Sequence, residues 1–237
     1  MYSKKYYLGT SDVDAFLELK ISSMFVMFQD VATEHAEMLG IGKTQTIDKG
    51  QFWVISRYAV NIIKMPRYLD TVVVKTYPGD DLRFIFPRYF QIEDEKGNIL
   101  VRASSTWCVL NKDTHSVVMN PFDGMKLPTE HYDGEEPLPQ KVSTDEVKVV
   151  DKRVVRYSDI DLNSHLNNTK YIDYFMDTKS LDFYKTHRIK HITINYEKEM
   201  LYGDEVTLMS NEKTNEYMVG FVNDKRIFEI NIDYENR

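Results

Sequence analysis

Polar residues of the types used in hydrolytic sites lie close together between Asp161 and His165. In an extended segment Asp161, Asn163 and His165 would project to one face, because side chains alternate along a strand. Asn167 or Asn168 is suited to cap a helix after this run. A carboxylate, an amide and an imidazole would then lie at a helix N-terminus, where free N–H groups and the helix dipole stabilise developing negative charge. The run therefore predicts a site of hydrolytic type. The alternative for His165, taken alone, is an ordinary surface histidine or a core histidine with its hydrogen bonds satisfied.

Metal binding is another interpretation of these acidic residues, and the spacing argues against it. A calcium loop starting at Asp159 would need glycine at its sixth position and glutamate at its twelfth, where the chain has Ser164 and Lys170. The single cysteine, Cys108, excludes a cysteine-based zinc site and an internal disulfide. We expect neither a metal nor a cofactor.

Composition limits the partners and the compartment. The 237 residues carry a formal net charge of −7, which argues against nucleic acid as the main partner. There is no apolar run long enough to span a bilayer, and no charged-then-apolar leader. Together with the lone cysteine, these features predict a soluble cytoplasmic protein without a membrane partner.

Two successive sets of elements would position the site. A mostly apolar helix is expected over residues 17–39, ended by Gly40 and Gly42, with another after the polar run. Strands are expected over residues 52–60, 61–64, 71–77, 83–93 and 98–110, and then over 153–155, 191–196, 205–209, 217–222 and 226–234. Residues 121–146, rich in Pro, Gly and acidic residues, predict a linker between units of residues 1–120 and 147–237.

The two units repeat one another in sequence. Ser11-Asp12-Val13-Asp14 matches Ser158-Asp159-Ile160-Asp161 at an offset of 147 residues. Lys64 and Asp70 match Lys198 and Asp204 at an offset of 134, so the first copy has 13 more residues between its helix and the next strand. The chain is therefore expected to be a fused pair of helix-plus-sheet units.

The copies differ where chemistry is expected. The second copy has Asn163, His165 and Glu199 where the first has Phe16, Glu18 and Met65. This difference predicts one active site per chain, in the second copy, with the first copy kept for packing or for an apolar binding surface. Drift without functional meaning is the alternative.

Several short motifs lie in order along nearly the whole chain. The second half has a D-x-N-x-H-x-N-N core within residues 156–171, and then Asn195-Tyr196-Glu197-Lys198-Glu199. The first half has Trp53-Val54-Ile55-Ser56-Arg57, followed by Pro66 and Asp70, and Ser105-Thr106-Trp107, followed by Asn111-Lys112-Asp113-Thr114. Taken together, these motifs resemble the acyl-acyl-carrier-protein thioesterases, the family that includes the plant chain-terminating enzymes of fatty acid synthesis.

The resemblance implies a fold, a reaction and a set of residues. The fold would be α+β, a double hotdog in which each repeat wraps a curved antiparallel sheet around a long central helix. The chain would be a bacterial-type member of the family. The reaction would be hydrolysis of fatty acyl-carrier-protein thioesters, with Asp161, Asn163, His165 and Glu199 as catalytic residues. Some members carry a cysteine just after this glutamate. Here that residue is Met200, so we expect no cysteine nucleophile.

Each catalytic residue has an expected role. Glu199 would be the general base for water, while His165 shares the water or steers the thioester. Asn163 would hold the water or the carbonyl, and Asp161 would orient its neighbours. Backbone N–H groups near Asn168 would donate to the oxyanion. Which of Glu199 and His165 touches the water is left open.

The implied substrate is an acyl carrier protein bearing a fatty acyl phosphopantetheine. The first helix would line the acyl slot through Met24, Phe25, Met27 and Phe28, although ordinary core is the alternative. Basic residues would guide the acidic carrier to the site: Lys64, Arg67, Lys152, Arg153, Arg156 and Lys198. The oligomeric state is left open, with a homodimer as one alternative.

Other functions fit the same residues. An acyl-coenzyme A thioesterase and a non-catalytic acyl-binding module would both keep the fold, and fold alone would also permit a dehydratase. Acyl chain length and saturation are not predicted.

Overall fold

A computed structural model describes residues 1–122, 127–131, 136–141, 146–213 and 215–237, and for Asn215 the backbone alone. These residues form two compact units. One contains Met1–Leu19 and Met24–Pro139, and the other contains Lys20–Ser23 and Gln140–Arg237. Within the described ranges, no helix is long and apolar enough to cross a membrane.

The predicted linker, residues 121–146, lies partly outside the described residues. Residues 123–126, 132–135 and 142–145 are not described, and the described remainder of this segment contains neither helix nor strand.

The first unit contains an antiparallel sheet and most of one long helix. Its strands are β1 (Tyr2–Tyr7), β2 (Gln51–Ile62), β3 (Thr71–Pro78), β4 (Phe86–Asp94) and β5 (Ile99–Asn111). Its helices are α1 (Ile21–Met38) and α2 (Lys43–Ile47). The strand order is β1-β3-β4-β5-β2, and every neighbouring pair is antiparallel.

Helix α1 is buried because apolar side chains cover most of its circumference. Met24, Phe28 and Val31 are fully shielded from solvent. The ring of Phe28 lies 4.8 Å from that of Phe90 on β4, measured between centroids. The helix therefore packs on one face of the sheet, which anchors the core of this unit.

The ends of α1 follow from backbone conformation. Gly40 has φ +72°, and the N–H groups of Gly40 and Ile41 return to carbonyls of the last helical turn. The predicted helix and its glycine stop are confirmed. Its predicted start at residue 17 is wrong, because Leu17 has φ +61° and lies in a turn before the helix begins at Ile21.

The second unit has a sheet of the same order. Its strands are β6 (Lys148–Val154), β7 (His187–Tyr196), β8 (Glu205–Ser210), β9 (Asn215–Val222) and β10 (Lys225–Asn236), and its helices are α3 (Lys170–Met176) and α4 (Leu181–Thr186). The strand order β6-β8-β9-β10-β7 is that of the first unit, element for element. The predicted repeat of α+β units is confirmed.

Backbone hydrogen bonds follow the predicted offsets. The Asp14 N–H donates to the carbonyl of Glu18, and the Asp161 N–H donates to that of His165, both at 2.8 Å. At the other offset, Leu19 N–H donates to Pro66 at 2.9 Å, and Leu166 N–H donates to Met200 at 2.8 Å. The two copies therefore share the turn that precedes each helix, and not only their strand order.

One feature implied by the resemblance needs correction in the second unit. Its central helix is not long: α3 has 7 residues and α4 has 6, against 18 in α1. The Thr178 hydroxyl donates to the Phe175 carbonyl at 2.8 Å, which competes with helix continuation. The Ser180 hydroxyl then accepts from the Phe183 N–H and starts α4.

The strand predictions are confirmed to within a few residues at most ends. Strand β2 continues through the predicted break after residue 60. Strand β1 and the short helices α2 and α4 were not predicted, because six residues or fewer carry too little periodicity to identify an element.

Candidate active site

The motif that contains Asp161 forms a tight turn. The Asp161 carboxylate accepts from the N–H groups of Asn163 at 2.7 Å and His165 at 3.3 Å, and the Asp161 carbonyl accepts from Ser164 at 3.1 Å. Ser164 has φ +66°. The prediction of an extended segment is therefore wrong, because the short acidic side chain captures backbone donors that a strand would use elsewhere.

His165 and Glu199 are brought together by strand-like pairing of their segments. The Leu166 N–H donates to the Met200 carbonyl, and His165 forms a bridge with Leu201. The His165 Nδ1 lies 3.3 Å from the Glu199 Oε2, with 26% and 38% of the two side chains exposed. An imidazole and a carboxylate this close, and open to solvent, can bind water and exchange a proton.

Asn163 and Asp161 have different surroundings on the same turn. Asn163 is exposed, whereas Asp161 is half-buried and turns its carboxylate toward the backbone. The geometry therefore gives Asp161 a holding function within the turn. Asn163 presents an exposed amide on the turn, two residues before His165.

Asn168 carries a backbone donor that is not used within the described residues. The Leu166 N–H donates to the Met200 carbonyl, and the Asn167 N–H donates to the Asp159 carbonyl. The Thr169 N–H donates to the Asn167 side chain, and the Lys170 N–H donates to the Asn167 carbonyl. The Asn168 N–H finds no acceptor among the residues that the structure describes, and Asn168 itself is half-buried. Such a donor is suited to a developing oxyanion.

Sequence reasoning did not single out two tyrosines beside the site. Tyr171, on α3, donates its hydroxyl to the Lys198 carbonyl at 3.4 Å, and Tyr196, at the end of β7, donates to the Asn168 carbonyl at 3.1 Å. Burial, together with the charge of Glu199, raises the pKa of Tyr171. Both tyrosines lie inside the motifs that carried the resemblance, which is the signal that could have identified them.

The first copy uses the corresponding positions for structure. Asp14 holds its turn by accepting from Phe16 at 2.8 Å and Glu18 at 3.0 Å. Glu18 is buried and lies 3.7 Å from the Arg67 guanidinium. Where the second copy exposes His165, the first therefore buries one member of an ion pair.

The residues predicted to line an acyl slot lie in the core of the first unit. Met24, Phe25, Met27 and Phe28 are at most 4% exposed. The Phe25 ring lies 5.0 Å from that of Tyr58, between centroids. Phe25 and Phe28 contact aromatic side chains of the sheet, and the assignment of all four residues to an acyl slot stays a prediction beside the alternative of ordinary core.

Three of the six basic residues predicted to guide a carrier are already paired. Arg67 contacts Glu18, Lys152 contacts Glu205 at 3.2 Å, and Arg153 contacts Asp151 at 2.6 Å and Asp177 at 3.3 Å. Lys64, Arg156 and Lys198 are exposed and lie in no ion pair with a described residue. Arg156 and Lys198 flank the motif and Glu199 in sequence within the second unit.

The single cysteine is poorly placed for nucleophilic chemistry. Cys108 lies in the first unit, and burial raises the pKa of its thiol, which disfavours the reactive thiolate. Met200 is fully buried. Among the described residues, no three His, Cys, Asp or Glu side chains are arranged to hold a metal ion.

Family models match both halves of the chain. The model of the acyl-ACP thioesterase N-terminal domain matches residues 1–123, and that of the C-terminal domain matches residues 142–236. Among plant relatives, the chain is 25% identical over 233 residues to oleoyl-acyl carrier protein thioesterase 2, chloroplastic, from Arabidopsis thaliana, which covers 90% of this chain and 63% of the relative. The palmitoyl-acyl carrier protein thioesterase, chloroplastic, of the same plant is 24% identical, covering 84% of this chain and 52% of the relative.

Solved structures share the fold. An acyl-ACP thioesterase from Bacteroides thetaiotaomicron superposes with a TM-score of 0.88 at 24% identity, covering 99% of this chain and 97% of that one. The 12:0-ACP thioesterase from Umbellularia californica gives 0.84 at 20% identity, covering 100% and 97%. These likenesses confirm the predicted double hotdog. With both domain models matched in order, the chain belongs to the acyl-ACP thioesterase family.

Proposed function

We propose that this chain hydrolyses fatty acyl-acyl-carrier-protein thioesters to a free fatty acid and the carrier protein. The observation that carries the proposal is the contact between the His165 imidazole and the Glu199 carboxylate, 3.3 Å apart and open to solvent. Family membership supplies the class of substrate. The chain spans only 63% and 52% of the two plant relatives, so activity and substrate are inferred from this site together with the family.

The reaction needs a base, an oxyanion donor and a thiolate leaving group. Glu199 accepts a proton from water as the water oxygen bonds to the thioester carbonyl carbon. The carbonyl oxygen becomes an oxyanion, which the Asn168 N–H stabilises. When the oxyanion collapses, the C–S bond breaks and the departing thiolate takes the proton, which His165 can relay from Glu199.

Two further residues support this chemistry in the proposal. Asn163 is exposed on the turn next to His165, where its amide can hold the water or the carbonyl. Asp161 keeps the turn in shape through its bonds to the N–H groups of Asn163 and His165. No cysteine nucleophile is required, in agreement with the raised pKa of Cys108.

The proposed substrate has two parts to be recognised, an apolar acyl chain and an acidic carrier protein. The assignment of Met24, Phe25, Met27 and Phe28 to an acyl slot stays a prediction. Of the six basic residues predicted to guide an acidic carrier, Arg156 and Lys198 are the two of the second unit that are exposed and in no ion pair with a described residue.

The experiment is hydrolysis of one acyl group attached either to acyl carrier protein or to coenzyme A, over several chain lengths. We expect kcat/KM to be at least about tenfold higher for the carrier-protein substrates, because the carrier adds electrostatic contacts. Equal or faster hydrolysis of the coenzyme A thioesters would make coenzyme A the thiol partner. Binding without hydrolysis of any thioester would replace the proposal with the acyl-binding module.

A further inference from the structure

Two tyrosine hydroxyls link the segments of the second unit that carry His165 and Glu199, and they do so in opposite directions. Tyr171 follows the His165 segment and donates to the carbonyl of Lys198 at 3.4 Å. Tyr196 precedes the Glu199 segment and donates back to the carbonyl of Asn168 at 3.1 Å. Each segment is therefore held by a side chain that belongs to the other.

The two acceptors are placed where backbone position matters for the site. The Lys198 carbonyl belongs to the peptide that leads into Glu199, so the bond from Tyr171 limits rotation of the backbone that carries this carboxylate. The Asn168 carbonyl belongs to the residue whose N–H has no acceptor among the described residues. The hydrogen bond from Tyr196 to the Asn168 carbonyl therefore restrains the orientation of the Asn168 N–H.

The rings of the two tyrosines are themselves packed together. Their centroids are 5.2 Å apart with the planes at 86°, and the ring of Tyr171 makes a second edge contact, at 5.0 Å, with fully buried Phe228. The rings hold their position through packing, so the hydroxyl groups are presented from a rigid base. Replacing either tyrosine by phenylalanine removes a hydroxyl and leaves this packing in place.

From this geometry we propose that Tyr171 and Tyr196 are positioning residues for thioester hydrolysis, fixing Glu199 and the Asn168 N–H relative to His165. The inference rests on the proposed function and deepens it. Neither tyrosine touches the substrate in this proposal. Their effect is exerted through the geometry of the groups that do, where a displacement of about 1 Å can lower a rate on the order of 100-fold.

The test compares Tyr171→Phe and Tyr196→Phe with Tyr184→Phe. Tyr184 is a matched control because it lies in the same unit and its hydroxyl also donates to a backbone carbonyl, that of Met176 at 2.9 Å. We expect kcat to fall roughly 10- to 100-fold in the first two variants, with KM within about twofold of the parent. The control should keep the parental kcat, while all three melting temperatures fall by similar amounts.

Two further measurements separate positioning from general destabilisation. In the Glu199→Ala background, Tyr171→Phe should cause no additional loss of kcat, because the group it positions is absent. Hydrogen exchange should speed up at the amide of Leu166, which donates to the Met200 carbonyl, in both site variants, and not in Tyr184→Phe. Additive losses of kcat, with unchanged exchange at this amide, would contradict the inference.

The outcomes also separate this inference from the proposed function. If the parent hydrolyses acyl-carrier-protein thioesters and Glu199→Ala does not, while both tyrosine variants keep the kcat of Tyr184→Phe, the function stands and the positioning role fails. A parent that hydrolyses no thioester would overturn both.

Discussion

At the residue scale, one acidic side chain has the same structural task in both copies. Asp161 and Asp14 each accept two backbone N–H bonds within a turn, at distances between 2.7 and 3.3 Å. Only the turn of Asp161 carries a histidine next to a glutamate. Comparing Asp161 with Asp14 therefore separates the structural role of this aspartate in the turn from its effect on catalysis.

Replacing each aspartate by alanine should separate stability from activity. Asp161→Ala and Asp14→Ala should each lower the free energy of unfolding by about 1–3 kcal/mol, because two backbone donors lose a charged acceptor. Urea unfolding measures this loss. Only Asp161→Ala should also lower kcat, by roughly tenfold or more, because His165 loses its fixed position.

The conservative variant sharpens this prediction. Asp161→Asn keeps an oxygen acceptor in place and should recover most of the stability and of kcat. A loss of kcat as large in Asp14→Ala as in Asp161→Ala would mean that turn stability alone governs activity.

At the element scale, the sequence predicted the elements that have a clear hydrophobic periodicity and the repeat that its two offsets indicate. The helix α1, the long strands and the two offsets of 147 and 134 residues are all present in the structure. The shape of the motif was not predictable from alternation, because Asp161 bonds to the backbone and turns the chain. The break between α3 and α4 depends on local bonds of Thr178 and Ser180, which hydrophobic spacing does not report.

The residues of the candidate site could be proposed from the sequence, but their arrangement in space could not. His165 and Glu199 are 34 residues apart in sequence, and they come into contact because their segments pair in the fold, through the backbone bond from Leu166 to Met200 and the bridge between His165 and Leu201. The two tyrosines were visible as letters within the motifs, yet their partners are backbone carbonyls, which no sequence pattern displays. Their role became an inference only with the fold.

Helix α1 contains a buried histidine that should make stability depend on pH. The Arg88 guanidinium donates to the Nδ1 of His35 at 3.1 Å, which requires an unprotonated Nδ1. Burial, with the charge of Arg88, lowers the pKa of His35 to about 4, below the value of about 6.5 in an unfolded chain. Between pH 6.5 and 4 the unfolded chain therefore binds more protons at this residue than the folded chain does.

It follows that the free energy of unfolding should decrease as the pH falls through this window. His35→Gln should reduce the decrease by on the order of 2 kcal/mol, because the titrating group is removed. Urea unfolding at several pH values between 7 and 4 measures the slope. The exposed His115 offers a control in His115→Asn, which should keep the parental slope. Equal slopes in His35→Gln and the parent would contradict the prediction.

At the scale of the whole molecule, an overall negative charge coexists with exposed cations in the segments that carry the candidate site. The chain carries −7 overall, yet Arg156 and Lys198 of the second unit are exposed and form no ion pair with the described residues. An acidic carrier would be repelled by the chain as a whole and attracted locally. Local attraction should then appear mainly in KM and in its dependence on salt.

Charge reversal tests this division. Arg156→Glu and Lys198→Glu should each raise KM for an acyl-carrier-protein substrate several-fold, with little change in kcat and a weaker dependence on salt. Lys185→Glu is the control. Lys185 lies on α4, which precedes β7, whereas Glu199 follows the opposite end of β7. An equal rise of KM in the control would show a general effect of net charge.

Glu199, in contact with His165, is proposed to activate water for thioester hydrolysis. The most direct measurement is kcat of the parent, Glu199→Ala and His165→Ala on one acyl-carrier-protein substrate. His191→Ala serves as the control, since its Nδ1 also faces a carboxylate of the same unit, that of Asp233 at 3.9 Å. We predict a loss of ~10²–10⁴-fold in Glu199→Ala, a large loss in His165→Ala, and parental kcat in the control. Folded Glu199→Ala protein that keeps the parental kcat would contradict the account.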